Sequence, residues 1–173
     1  VAVAAWILRI PVVSHESDLT PGLANKLIAP FARRIVYTFP DTQRYLPKSA
    51  ILTGTPIRAE LFQGERAAGL KLCGFDPSEA IPTYLFMGGS QGAKKINDCL
   101  FSILPDLVQN ARVIHLAGAG KLGSFASPRY KAFEFVREDL QHVFAAADFV
   151  VSRSGANSIF ELLALRKPML LIP

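Results

Sequence analysis

A handful of short segments hold the residues whose types and spacing could do chemistry. Gly88-Gly-Ser-Gln-Gly-Ala93 lies between an apolar run and a helical stretch. Backbone N–H groups and the helix dipole favour a phosphate at such a junction. The segment is neither Gly-x-x-x-x-Gly-Lys-Ser/Thr nor Gly-x-Gly-x-x-Gly, so by itself it is equally a tight strand-to-helix turn. Ser152-Arg-Ser-Gly-Ala-Asn-Ser158 follows a second apolar run, with Glu161 a turn later. Open α/β sheets bind ligands at such carboxyl ends. Glu161 could accept the hydroxyls of a ribose, or close a Ser158-x-x-Glu161 capping box. Thr53-Gly-Thr-Pro-Ile-Arg58 sets a cation after a turn, where Arg58 could bridge a phosphate or lie in solvent. His15-Glu16 could be a general base and its orienter, or a polar loop.

The remaining candidates carry less. Trp6, with Val3, Ile7 and Leu8, makes an apolar patch, and Lys26, Arg33 and Arg34 follow it. That is how a peripheral protein meets anionic lipid, and also how a core beside a solvated helix face reads. His115 and His142 read as structural or surface histidines. Lys121 follows Ala117-Gly-Ala-Gly120, a pattern too short to define a phosphate site. No cluster has the spacing of zinc or calcium ligands.

The elements that must position these residues alternate. Apolar β-like runs are predicted at 10–14, 34–38, 50–52, 83–87, 113–116, 132–136, 149–152 and 168–172. Residues 1–8 read as the end of a helix, and further helices are predicted at 21–31 (Thr20 as N-cap, Pro21 first), 93–104, 139–147 and 155–165. Such alternation implies βαβ units and a mainly parallel sheet. Residues 53–82 are the least periodic and place a domain boundary near Thr53–Arg58.

Composition sets outer limits. The chain has 173 residues, 50% hydrophobic and 19% charged, which suits a packed core and excludes a disordered tail. No apolar run approaches the ~20 residues that span a bilayer. Two cysteines without metal spacing read as a reducing compartment. The net charge of +5 suits an anionic ligand or an acidic membrane surface, with no Lys/Arg run for nucleic acid. The absence of an initiator Met and the terminal strand-like run give the expectation of a piece of a longer protein.

Four of the segments, in order, resemble one family over essentially the whole chain. Ile10-Pro-Val-Val-Ser-His-Glu-Ser-Asp18 with Pro21-Gly-Leu-Ala-Asn-Lys26, then Thr53–Arg58, Gly88–Ala93 and Arg153–Glu161, are similar to the MurG family within glycosyltransferase family 28. These enzymes transfer N-acetylglucosamine from UDP-N-acetylglucosamine to lipid I, forming the lipid II used for peptidoglycan. The His-Glu-Ser-Asp segment departs from a His-Glu-Gln-Asn form found in other members.

The resemblance implies an α/β fold of GT-B type, two Rossmann-like domains with parallel sheets and an active site in the cleft between them. Residues 1–57 would be the last part of the acceptor and membrane-facing domain, and 58–173 most of the UDP-N-acetylglucosamine domain. Arg58, Ser90 and Gln91 would contact the diphosphate, Glu161 the ribose hydroxyls, and the backbone at Val136 and Arg137 the uracil. Trp6 would belong to a membrane-docking patch. The transfer would be inverting and independent of metal or other cofactor. Either His15 or Glu16 would take the proton of the acceptor 4-hydroxyl. Arg58, the glycine-loop amides and the helix dipole would meet the charge on the leaving UDP. The implied place is the cytoplasmic face of a bacterial membrane, held peripherally on an anionic surface; nothing sets an oligomeric state. The family's first glycine-rich loop and a later glutamine pair are not in the sequence, so the chain alone is expected to be inactive. Two alternatives stand beside this reading: a UDP-sugar diacylglycerol glycosyltransferase and a non-catalytic UDP-sugar-binding module.

Overall fold

The structure, a computed structural model, describes residues 1–89 and 93–173. It divides into two compact units, Val1–Pro56 and Ile57–Pro173. The sequence reading set the division one residue later, after Ile57.

The first unit is a three-stranded parallel sheet in the order β1-β2-β3, with β1 at Val13–Glu16, β2 at Arg34–Tyr37 and β3 at Ile51–Leu52. Helix α1 (Ala2–Ile7) precedes the sheet, and α2 (Leu23–Ile28) joins β1 to β2. Two expectations shift here. β1 begins at Val13, not Ile10, because Pro11 has no N–H and pairing starts where Arg33 N–H reaches the Val12 carbonyl. α2 begins after Gly22 and stops at Ile28, giving way to a 3-10 turn at Ala29–Phe31. Pro30 cannot donate the next helical hydrogen bond. Thr20 is not its cap: the Gly22 N–H is taken by Glu16 Oε2 at 3.1 Å.

The second unit is a five-stranded parallel sheet in the order β6-β5-β4-β7-β8. The strands are β4 Thr83–Met87, β5 Arg112–Leu116, β6 Tyr130–Phe133, β7 Phe149–Arg153 and β8 Met169–Ile172. Helices α3 (Arg66–Leu72), α4 (Lys94–Asn110), α5 (Leu140–Ala146) and α6 (Ala156–Ala164) flank it. Strand alternation sorts the core into two layers. Leu85, Met87, Ile114 and Val150 face Leu70, Val143, Phe144 and Leu162. Phe86, Val113 and Val151 face Ile96, Leu100 and Leu104 of α4, which recur every fourth residue on one helix face. A parallel α/β architecture with flanking helices, the expected fold class, is what both units show.

The order of this sheet creates a switch point. From β4 the chain runs outward through β5 and β6, then returns to add β7 and β8 on the other side. The segments after β4 and β7 therefore diverge at the carboxyl edge, where open α/β sheets hold ligands.

Three departures from the sequence reading have physical causes. β6 lies at 130–133, not 132–136, because its partners are Val113–Leu116. α4 continues to Asn110 through Pro105, held by its buried apolar face. Helix α3 and a 3-10 turn at Ala59–Gln63 occupy the stretch that read as the least periodic. Gly69 sits inside α3 because a Cβ there would strike the His142 backbone carbonyl of α5. Arg66 then grips Asp148 with two bonds, at 2.8 and 3.0 Å, and Asp148 accepts the Thr83 N–H at 2.8 Å.

Both cysteines are free. Cys73 is buried behind α3, and Cys99 is exposed on α4. Cys99 lines an apolar recess of about 370 Å³ with Tyr84, Phe86, Ile103 and Leu170 among its walls.

Candidate functional site

In the second unit, two of the sequence-predicted residues come together. Arg58 precedes the 3-10 turn whose Leu61 is buried in the core, so packing fixes the segment that carries the guanidinium. Glu161 stands on α6, after β7. Arg58 Nε donates to Glu161 Oε1 at 3.1 Å, and Arg58 Nη2 lies 3.0 Å from the same oxygen. The capping-box alternative fails. Ser158 is the third residue of α6, the N-cap is Gly155, and no side chain caps the helix. The Glu161 carboxylate is thus engaged by Arg58 instead.

Val136 and Arg137 lie in the segment after β6, on the same carboxyl edge. They line a recess of about 390 Å³ with Phe133, Phe135 and Leu72. Their backbone amides and carbonyls have no partner among the described residues. Ser90 and Gln91 lie outside the described residues. The flanking pieces are in place: β4 ends at Met87, Gly89 has φ +80°, and α4 starts at Lys94.

A buried hydrogen-bond chain ties this edge together, and sequence reasoning missed it. Asn97 Nδ2 donates to the Ala117 carbonyl at 3.0 Å, which leaves Oδ1 as the acceptor. His115 Nε2 therefore donates to Asn97 Oδ1 at 3.0 Å, and Nδ1 accepts from Tyr130 Oη at 2.9 Å. Burial lowers the His115 pKa to about 4 and pushes Tyr130 up to about 12. The chain joins the first turns of α4 to the end of β5 and the start of β6. His142 is likewise structural: its Nδ1 accepts the Glu65 N–H at the start of α3.

In the first unit, His15 and Glu16 separate. Neighbours on a strand face opposite ways, and each finds different partners. His15, half-buried, has Nε2 3.1 Å from the Gly54 carbonyl and 3.2 Å from Thr38 Oγ1. Gly54 can present that carbonyl because it adopts φ +75°, open to glycine. Glu16 is buried at 2% exposure. It accepts from Asp18 N–H at 3.0 Å, Gly22 N–H at 3.1 Å and Asn25 Nδ2 at 2.8 Å. Burial pushes its carboxyl up, but the hydrogen bonds from Asn25, Asp18, Gly22 and Ser17 outweigh it and hold the pKa below the ordinary value. The pairing of His15 with Glu16 as its orienter is therefore corrected: Gly54 and Thr38 hold the imidazole, and Glu16 organises the 17–22 loop. Asn25, which also accepts from Ser14 Oγ at 2.8 Å, is the hub of that loop. A polar residue with contacts nine and more positions away leaves no periodic signal in the sequence.

Trp6 is 59% exposed and meets Phe31 edge-on at 5.7 Å. The two line an open recess with Arg9 and Arg33. Among the described residues no helix is long and apolar enough to cross a membrane, and no group of three or more His, Cys, Asp or Glu residues could hold a metal ion.

An open parallel sheet with flanking helices, and with an acid, a cation and backbone groups gathered along its carboxyl edge, defines a doubly wound α/β domain of the kind that holds ligands at that edge. Residues 83–173 match the glycosyltransferase family 28 C-terminal domain, and the chain belongs to that family. Over its whole length it is 52% identical to a protein of Lachnoclostridium phytofermentans and 51% identical to one of Geobacillus kaustophilus. Each of these is named UDP-N-acetylglucosamine--N-acetylmuramyl-(pentapeptide) pyrophosphoryl-undecaprenol N-acetylglucosamine transferase. The chain spans 49% of each relative's length. The crystal structure of Acinetobacter baumannii MurG has the same fold, with a TM-score of 0.65, 24% identity, and coverage of 99% of this chain and 48% of that one.

Proposed function

We propose that this chain is part of an N-acetylglucosaminyltransferase that moves the sugar from UDP-N-acetylglucosamine to the 4-hydroxyl of N-acetylmuramic acid in lipid I, giving lipid II. The observation that carries the reading is about half identity, sustained over the full chain, to transferases of that name. In this reading residues 58–173 supply most of the donor domain, and 1–57 the last part of the acceptor and membrane-facing domain.

The chemistry is a single inverting displacement. The acceptor oxygen forms a bond to the anomeric carbon, the bond from that carbon to the diphosphate oxygen breaks, and UDP leaves with the electron pair. His15 takes the hydroxyl proton. Its Nε2 hydrogen goes to a carbonyl, so the neutral ring holds its lone pair on Nδ1. Glu16, buried and triply hydrogen-bonded, is not the base. Arg58, the amides of the 88–93 loop with Ser90 and Gln91, and the α4 dipole stabilise the departing diphosphate without a metal ion. Glu161 accepts ribose hydroxyls, and the free backbone groups of Val136 and Arg137 read the uracil edge. Trp6, flanked by Arg9 and Arg33, fits docking on an anionic lipid surface, at the cytoplasmic face where the nucleotide sugar is available.

The test is an assay of the full-length protein with UDP-N-acetylglucosamine and either lipid I or diacylglycerol. Lipid II formation with inversion at the anomeric carbon is expected. Turnover on diacylglycerol alone, or UDP binding without turnover on either acceptor, overturns the proposal.

A further inference from the structure

The bond between Arg58 and Glu161 is lopsided in a way that specifies a role. Two guanidinium donors, Nε at 3.1 Å and Nη2 at 3.0 Å, fall on Oε1. Oε2 has no protein partner among the described residues, and neither has the Nη1 nitrogen of Arg58. The Glu161 side chain is mostly enclosed, at 15% exposure, while that of Arg58 is half open, at 52%.

Two donors of one rigid guanidinium converging on a single carboxylate oxygen hold that oxygen in place, which a point-charge ammonium does less well, and leave the other oxygen to a ligand. We propose that Arg58 is a positioning residue for ribose recognition. By anchoring Oε1 it aims Oε2 at one hydroxyl of the ligand, and its open Nη1 edge remains available to a phosphate oxygen of the same nucleotide. The ligand class is a pyrimidine ribonucleoside diphosphate, discriminated from its deoxy counterparts only while Arg58 holds Glu161. This deepens the donor-domain reading and rests on it. A role confined to phosphate would leave the discrimination between ribose and deoxyribose untouched.

The experiment is calorimetric titration of the full-length protein, wild type and Arg58→Lys, with UDP, 2′-deoxy-UDP, 3′-deoxy-UDP and uridine. Wild type is expected to bind UDP about tenfold or more tighter than one of the two deoxy analogues, the value of one charge-assisted hydrogen bond. Arg58→Lys is expected to bring that ratio to within about twofold. Because all three diphosphates carry the same phosphates, the ratio does not respond to phosphate affinity or to a general loss of stability. An Arg58→Lys protein that keeps the ratio and loses only its preference for UDP over uridine overturns the positioning role. A wild type that binds UDP without discriminating either deoxy analogue overturns the assignment of Glu161 to ribose, and this inference with it. A wild type that does not bind UDP overturns the donor-domain reading itself.

Discussion

The Nε2 of His15 lies 3.1 Å from the carbonyl oxygen of Gly54, 39 residues further on. A carbonyl only accepts, so this contact selects the tautomer of the neutral ring and leaves the lone pair on Nδ1. Replacing His15 by Gln is expected to lower kcat by about 10²- to 10⁴-fold, the usual contribution of a general base, with the KM for the nucleotide sugar little changed. Steady-state kinetics of the full-length protein check it, and an unaltered kcat would remove His15 from the chemistry.

Glu16 makes the opposite prediction. Glu16→Gln replaces one acceptor oxygen by an NH2 group facing N–H donors, and is expected to destabilise by about 1–3 kcal/mol. Because hydrogen bonds hold the folded-state pKa below the unfolded value, the wild-type contribution is present above the ordinary carboxylate range. It is lost as pH falls through the folded-state value. Urea denaturation at neutral and acid pH measures both, and the variant should lose less stability on acidification than wild type.

Gly69→Ala tests the close approach of α3 to α5. The new Cβ would meet the backbone carbonyl of His142 and the Cβ of Ala146, and backbone does not step aside as a side-chain tip can. Overpacking of this kind costs about 1–3 kcal/mol. A fall in Tm is expected; an unchanged Tm would show that the two helices slide apart without cost.

His115 should remain neutral, with its hydrogen on Nε2, down to about pH 4. Nitrogen-15 NMR of the imidazole reads the tautomer and the titration together. The folded-state value lies below the unfolded one, so the stability from this residue is fully present above about pH 6.5 and is lost as pH falls towards 4. The loss is on the order of 3 kcal/mol by linkage. Titration of His115 near its ordinary value would show that the chain from Tyr130 to Asn97 is not closed in solution.

Trp6→Glu places a charge on the exposed apolar face beside Arg9 and Arg33. Co-sedimentation of the full-length protein with vesicles containing anionic lipid should fall several-fold, with UDP binding unchanged. Equal sedimentation of wild type and variant would separate Trp6 from membrane docking.

What could be read along the chain depended on the range of the forces involved. β4 was legible to the residue, because an apolar run between Pro82 and Gly88 is a local signal. Helix α3 was not: Gly69 reads as a breaker until its neighbour on α5, 73 residues away, shows why no side chain fits. At the site, Glu161 and Arg58 were each legible by type and position, but their bond spans 103 residues and no spacing encodes it. The division of labour between His15 and Glu16 was hidden for the same reason. Two adjacent polar residues look like a pair until the strand sends them to opposite faces.

The two cysteines differ enough to be useful. The Cys73 thiol is pushed up to about 12 by burial, whereas Cys99 is exposed on α4. A maleimide at neutral pH will therefore distinguish them and attach a dye to Cys99 alone of the two. That dye would sit on the wall of the apolar recess shared by α4 and the sheet. Its fluorescence would report whether the recess is wet or covered, from within the native chain and without any engineered residue.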